Sequence, residues 1–161
     1  MTKGQNTGTY DLEISRLVAA PRARVWDAWS NPRNLAEWWC PKPWTTEVRK
    51  FDFRPGGDFY TFMRGPGGEG ESDNPGCFLE IVPQEKISWT SCLSGGYRPN
   101  TPWMPMTAIF TMADEGKGTR YIARVLHLNE EEAQKHVDMG FYDGWGTCIT
   151  QLEEFAQKLQ S

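Results

Sequence analysis

The stretch from Asn129 to the C-terminus constrains this chain most. Ala133, Val137, Phe141, Trp145, Cys148, Leu152, Phe155 and Leu159 recur at steps of four and three, the spacing of an apolar seam along one helix face. Asn129 suits an N-cap, Glu130, Glu131 and Glu132 suit the positive end of the helix dipole, and Lys158 suits the other end. One unbroken helix over this stretch would be roughly 45 Å long, whereas an eight-residue strand spans only about 26 Å. No single strand can cover that seam. The helix needs a whole curved sheet as its partner.

The rest of the chain has the pattern of such a sheet. Tyr10, Leu12 and Ile14 alternate with Asp11, Glu13 and Ser15, which predicts a first strand. Pro21 opens a short helix with Val25, Trp26 and Trp29 on its apolar side, and Asn31-Pro32 starts a second that ends near Cys40. Strand-like segments then follow at 44–53, 58–64, 77–82, 87–93, 104–112 and 119–128, divided by turns at 54–57, 83–86 and 114–118 and by longer loops at 65–76 and 94–103. This order predicts an α+β fold in which an antiparallel meander curls around the C-terminal helix. Residues 1–9 are polar and read as a flexible tail, leaving 10–161 as a single domain. In a simple meander the three turns share one end. The two long loops gather at the other with Trp38, Trp39 and Trp44, and that end would be a mouth.

Composition points to what the mouth would admit. Eight Trp, eight Phe and five Tyr are more rings than a small core needs, so some are expected to line a cavity. A net charge of −4 without any basic run excludes a nucleic-acid partner. The opening MTKGQNTGTYDLE lacks the apolar core of a signal peptide and no stretch is long enough to span a bilayer, so a cytoplasmic location without membrane insertion is expected. Cys40, Cys77, Cys92 and Cys148 are dispersed and read as reduced thiols; no metal and no cofactor is expected.

The candidate lining residues are Trp39, Trp44, Trp89, Met106, Phe141 and Trp145. Gly140, Gly144 and Gly146 interrupt a strong helix pattern at a cost of about 1 kcal/mol each. They mark a bend, a close approach of helix to sheet or, on the face shared by Gly140 and Gly144, bare backbone beside a ligand. Met104, Met106, Ala108, Phe110 and Met112 share one strand face, and Ile87, Trp89, Ser91 and Leu93 another, both expected inward. Arg120 and Arg124 share a face expected to point outward; an inward Arg124 would bind an acidic ligand group and joins the candidates on that account. Asp52 and Arg54 predict an ion pair. No catalytic set is identifiable. His127, ending a strand at the mouth, is the candidate general base, and His136 reads as a hydrogen-bonded structural residue. No nucleophile elbow, phosphate-binding loop or zinc helix motif is present.

Four segments, in order, resemble a known family. LEISRLVAAPRARVWDAWSNPRNLAEWWCP, FDFRPGGDFYTF with Asp52, Arg54, Pro55, Gly56 and Gly57, GCFLEIVPQEKISWT, and HVDMGFYDGWGTCITQLEEFAQKL with His136, Gly140, Gly144 and Trp145 are similar to bacterial proteins related to the activator of heat-shock-protein-90 ATPase, within the START-like, SRPBCC superfamily. The resemblance runs over about residues 10 to 159. It implies a helix-grip fold (START-like, Bet v 1-like) with a cavity between sheet and helix. Its implications for activity range from lipid binding to cyclase or aromatase chemistry and a co-chaperone role. The expectation drawn from residues and resemblance together is binding of a hydrophobic or aromatic small molecule in that cavity. The alternatives are a cyclase- or aromatase-like enzyme acting on a polyketide-type ligand, or a protein that binds a heat-shock-protein-90 homologue, the chaperone partner being disfavoured. An exposed edge strand leaves a homodimer open.

Overall fold

A computed structural model describes residues 10–159 of the chain; the tail expected over residues 1–9 lies outside them. Strand β1 (Asp11–Val18) leads to helices α1 (Arg22–Ser30) and α2 (Pro32–Leu35). Strands β2 (Thr45–Phe51), β3 (Phe59–Arg64), β4 (Glu71–Asn74), β5 (Cys77–Val82) and β6 (Lys86–Thr90) follow. A small hairpin, β7 (Leu93–Ser94) and β8 (Arg98–Pro99), separates these from β9 (Met106–Glu115) and β10 (Gly118–His127), and helices α3 (Glu130–Asp138) and α4 (Phe141–Lys158) close the chain.

The strands pair antiparallel in the order β1-β10-β9-β6-β5, and a second group runs β2-β3-β4. The two groups join where β4 leads into β5: Phe59 N–H donates to Gly76 O at 2.9 Å, Phe78 N–H to Gly57 O at 2.9 Å, and Asp58 pairs with Cys77. The result is a curved antiparallel sheet with a long C-terminal helix, α4, and the short helices placed early, the helix-grip α+β arrangement. Alternation sets what faces inward. Along β10 the buried residues are Thr119, Tyr121, Ala123, Val125 and His127, and along β9 they are Ala108, Phe110 and Met112.

The predicted single helix is two. Met139 ends α3, Gly140 takes φ 92°, and Gly144 N–H donates to Gly140 O at 2.8 Å to start α4. A left-handed residue after a helix is the normal way to stop it, and glycine bears that conformation without side-chain conflict. Gly140→Ala is therefore expected to destabilise by about 1 kcal/mol, although a Cβ there meets nothing within 4 Å; urea unfolding reads this, and an unchanged midpoint would contradict it. The remaining α4 is roughly 27 Å long, close to the reach of one strand.

The C-terminal half of α4 is fixed to the start of the chain. Gln151 accepts from Lys42 N–H at 3.0 Å and donates to the Trp38 and Cys40 carbonyls, and Glu153 accepts from Ala19 N–H at 2.6 Å. Ile149, Leu152 and Ala156 are buried there, and α1 packs alongside. Arg16, inward on β1, donates to Gly146 O at 3.1 Å. The N-terminal half of α4 carries Phe141, Gly144, Trp145 and Cys148 along open space instead.

Two segments depart from the predicted meander. Residues 71–74 form β4 inside the stretch expected to be loop, because the edge of β3 supplies hydrogen-bond partners that strand propensity in Glu-Ser-Asp-Asn does not suggest. The loop expected at 94–103 also divides. Its first half turns back to the 54–58 corner, where Gly95 N–H donates to Asp58 Oδ1 and Gly96 N–H to Gly56 O, each at 2.8 Å. Only residues 100–103 reach the cavity. Leu93, expected inward with Trp89, lies in this hairpin.

Candidate ligand cavity

A cavity of about 650 Å³ lies between the concave sheet face and the first turns of α4. Protein interiors ordinarily close voids of this size, and apolar ligand sites keep them. Its floor is an aromatic cluster centred on Trp29, which is fully buried. The Trp29 ring lies 5.4 Å from Trp38, 5.1 Å from Trp39 and 4.8 Å from Phe110. The indole N–H of Trp29 donates to Tyr121 Oη at 2.8 Å and that of Trp38 to Ala28 O at 3.0 Å. These two bonds orient the Trp29 and Trp38 rings within the cluster.

The sequence candidates divide cleanly. Trp39, Trp44, Trp89, Met106, Phe141, Gly144 and Trp145 all face this cavity. Phe110, also in the lining, stacks with Trp145, with ring centroids 6.0 Å apart and planes within 2°. Residues 72–75 and 100–103 line the cavity together with Trp44, and Trp103 donates its indole N–H to Asn74 Oδ1 at 3.0 Å. Arg124 is not part of the site. It is half exposed on the convex face and paired with Asp11, because strand alternation puts Arg120 and Arg124 opposite the inward Tyr121, Ala123 and Val125. Arg120 likewise pairs outward with Glu115 at 2.7 Å, and Asp52 with Arg54 at 2.7 Å.

The histidines exchange the places expected of them. His127, the candidate base, lies behind the wall with Nδ1 3.0 Å from Tyr10 O and Nε2 2.9 Å from His136 Nδ1. His136, expected to be structural, lines the cavity. Burial, and next the neighbouring His127, push the His136 pKa down to about 4. His127 is also lowered, chiefly by burial, against the opposing pull of the Tyr10 carbonyl, Asp11 and Glu132. Above an unfolded value of about 6.5 both states of His136 are neutral and pH has no effect through it. As pH falls from there toward 4, the unfolded chain takes up a proton that the folded chain refuses, so stability drops by about 1.4 kcal/mol per pH unit for that proton. The urea midpoint is expected to fall between pH 7 and pH 5, and His136→Phe should flatten the slope; a pH-independent midpoint in the parent would refute this assignment.

Tyr121, Phe59, Phe110, Met104 and Thr61 also line the cavity without having been candidates for it. Tyr121 was within reach of sequence reasoning, since it alternates with the outward Arg120. His136 was not, because only the break at Gly140 turns α3 so that this ring meets the Phe141 and Trp145 rings at 4.9 and 5.7 Å. Nucleophilic chemistry has little support in this wall: burial, followed by nearby Cys40, raises the Cys148 thiol to about 12, and burial raises Cys40 as well. Among the described residues no cluster of His, Cys, Asp and Glu could hold a metal ion.

The family described as Activator of Hsp90 ATPase homolog 1-like protein matches residues 19–157. Among solved structures, a protein from Nitrosomonas europaea is 42% identical, with a TM-score of 0.87 over 93% of this chain and 96% of its own. A protein from Mycobacterium smegmatis is 28% identical, with a TM-score of 0.77 over 91% of this chain and 90% of its own. A protein of Aeromonas hydrophila, itself called like the Hsp90-ATPase activator homolog, shares the fold at 17% identity and a TM-score of 0.68, over 93% of this chain and 94% of its own. No curated protein matches the chain significantly. Among the described residues, no helix is long and apolar enough to cross a membrane.

Proposed function

The chain belongs to the Activator of Hsp90 ATPase homolog 1-like protein family, and from that footing we propose that it binds an apolar or aromatic small molecule between the sheet and α4. One observation carries this reading: about 650 Å³ is left open between the sheet and α4, lined by aromatic rings and thioethers. Trp39, Trp89, Met106, Phe141 and Trp145 supply the apolar wall, and Gly144 leaves the helix backbone bare beside it. Met104 and Met106, with their flexible thioethers, suit a wall that adapts to its guest.

A thermal-shift series with fatty acids and substituted naphthalenes tests the reading. A probe at a hundred times its dissociation constant contributes about 2.7 kcal/mol, which for a chain of this length raises Tm by roughly 5–10 °C. Native mass spectrometry of protein purified from its own host should find a retained small molecule. If the series leaves Tm unchanged while the protein forms a stable complex with an Hsp90-type chaperone, the cavity reading is wrong and the family description fits the protein better.

A further inference from the structure

A polar chain of three groups ends at the cavity surface. The Tyr10 carbonyl can only accept, so the proton between it and His127 belongs to His127 Nδ1. In a neutral ring the other nitrogen is then an acceptor, and His127 Nε2 takes its hydrogen bond from His136 Nδ1–H at 2.9 Å. His136 is left with Nε2 as a lone-pair acceptor. Its tautomer is set by a main-chain carbonyl two steps away, in the manner of the ordered histidines of active sites.

Among the described residues that acceptor has no partner. His136 is only 6% exposed and is bracketed by the Phe141 and Trp145 rings. Its Nε2 makes no hydrogen bond, yet protein atoms do not seal it off. Open to the cavity and without a partner among the described residues, this acceptor can take a hydrogen bond from a donor on a guest molecule. The rest of the wall narrows the donor. Among the described residues no Lys or Arg lines the cavity. Arg16 is engaged with Gly146 and Thr150, and Arg124 lies outside with Asp11. A carboxylate would enter without a counter-charge and would face a lone pair.

We propose that the cavity selects a neutral, ring-bearing molecule with a hydroxyl group, a phenol or aromatic alcohol, whose O–H donates to His136 Nε2. The proposal rests on the ligand-binding reading of the cavity and adds to it the polar group by which the guest is chosen. His136 is the specificity-determining residue, and His127 is a positioning residue that acts by fixing the proton on His136 Nδ1.

Isothermal titration of the full chain with 2-naphthol, 2-methoxynaphthalene and 2-naphthoate tests it. The naphthol is expected to bind about tenfold more tightly than its methyl ether, the effect of one hydrogen bond, and the naphthoate more weakly than either. In His136→Phe the preference for naphthol over ether should shrink to within about twofold while the ether keeps its affinity. Nitrogen-15 spectra of the histidine rings give a readout that needs no variant. Both rings should carry the proton on Nδ1, and the His136 Nε2 signal should move with naphthol and stay in place with the ether. Equal affinity for phenol and ether in the parent protein would overturn the proposal and leave the cavity reading standing. So would a preference that survives His136→Phe. Failure of all three probes to bind would overturn both.

Discussion

Trp29→Ala is expected to remove most of the stability of this fold. Deleting a fully buried indole costs about 3–5 kcal/mol, and leaving the Tyr121 hydroxyl without its donor adds about 1–3 kcal/mol. Against a total of about 5–15 kcal/mol, that loss leaves a marginal protein or an unfolded one. The site justifies the upper part of the range. Trp29 touches the rings of Trp38, Trp39, Phe59 and Phe110, so four neighbours lose a partner at once. Trp29→Phe separates the two contributions: it keeps a ring in place and forfeits the bond to Tyr121, for an expected loss of about 1–2 kcal/mol. Urea unfolding checks both. A Trp29→Ala protein within about 1 kcal/mol of the parent would mean that the cluster repacks, and that the wall is softer than a close-packed interior permits.

Gly144→Leu is expected to separate binding from stability. Gly144 faces the cavity from α4, and a Cβ placed on it meets no atom within 4 Å. Its backbone is helical, so no conformational penalty opposes a larger residue, and replacing glycine within a helix contributes about 1 kcal/mol of stability. Because Gly144 lines the cavity, a leucine side chain there can reach into it. Probe binding should therefore weaken by more than tenfold, about 1.4 kcal/mol or more, while the urea midpoint holds or rises. Gly144→Ala is the control, with the same gain in helix stability and little loss of binding. A Gly144→Leu protein that binds as well as the parent would place the guest elsewhere. The contrast with Gly140 is instructive: both glycines have room for a Cβ, and only at Gly140 does the left-handed backbone make one unwelcome.

Much of the candidate site was legible before any coordinates, because alternation and helical spacing are local. Seven of the eight residues expected to surround a ligand, Trp39, Trp44, Trp89, Met106, Phe141, Gly144 and Trp145, do line one cavity. Arg124 failed as a candidate for a reason the pattern itself contains, since it shares a strand face with Arg120 and Ile122. The histidines are a different kind of miss. Both were seen, yet their roles depend on a hydrogen bond between β10 and α3. The orientation of α3 follows in turn from one backbone angle at Gly140.

The sequence by itself determined the elements and their faces: the period-2 strands, the capped amphipathic helix stretch and the Arg54-Pro55-Gly56-Gly57 corner. Such features depend on neighbours within a few residues and on nothing further away. Only the tertiary structure decided that residues 71–74 become a strand, that the 94–99 hairpin folds back on the Gly56–Asp58 corner, and that His136 rather than His127 meets the cavity. The open volume itself belongs to this second group. A cavity is the difference between two nearly equal quantities, the space enclosed by the curved sheet and α4 and the side-chain volume sent into it. Periodicity says which residues point inward, but not how far apart the walls stand. That distance is set by non-local contacts, among them the bonds of Gln151 and Glu153 that hold the far half of α4 against the start of the chain.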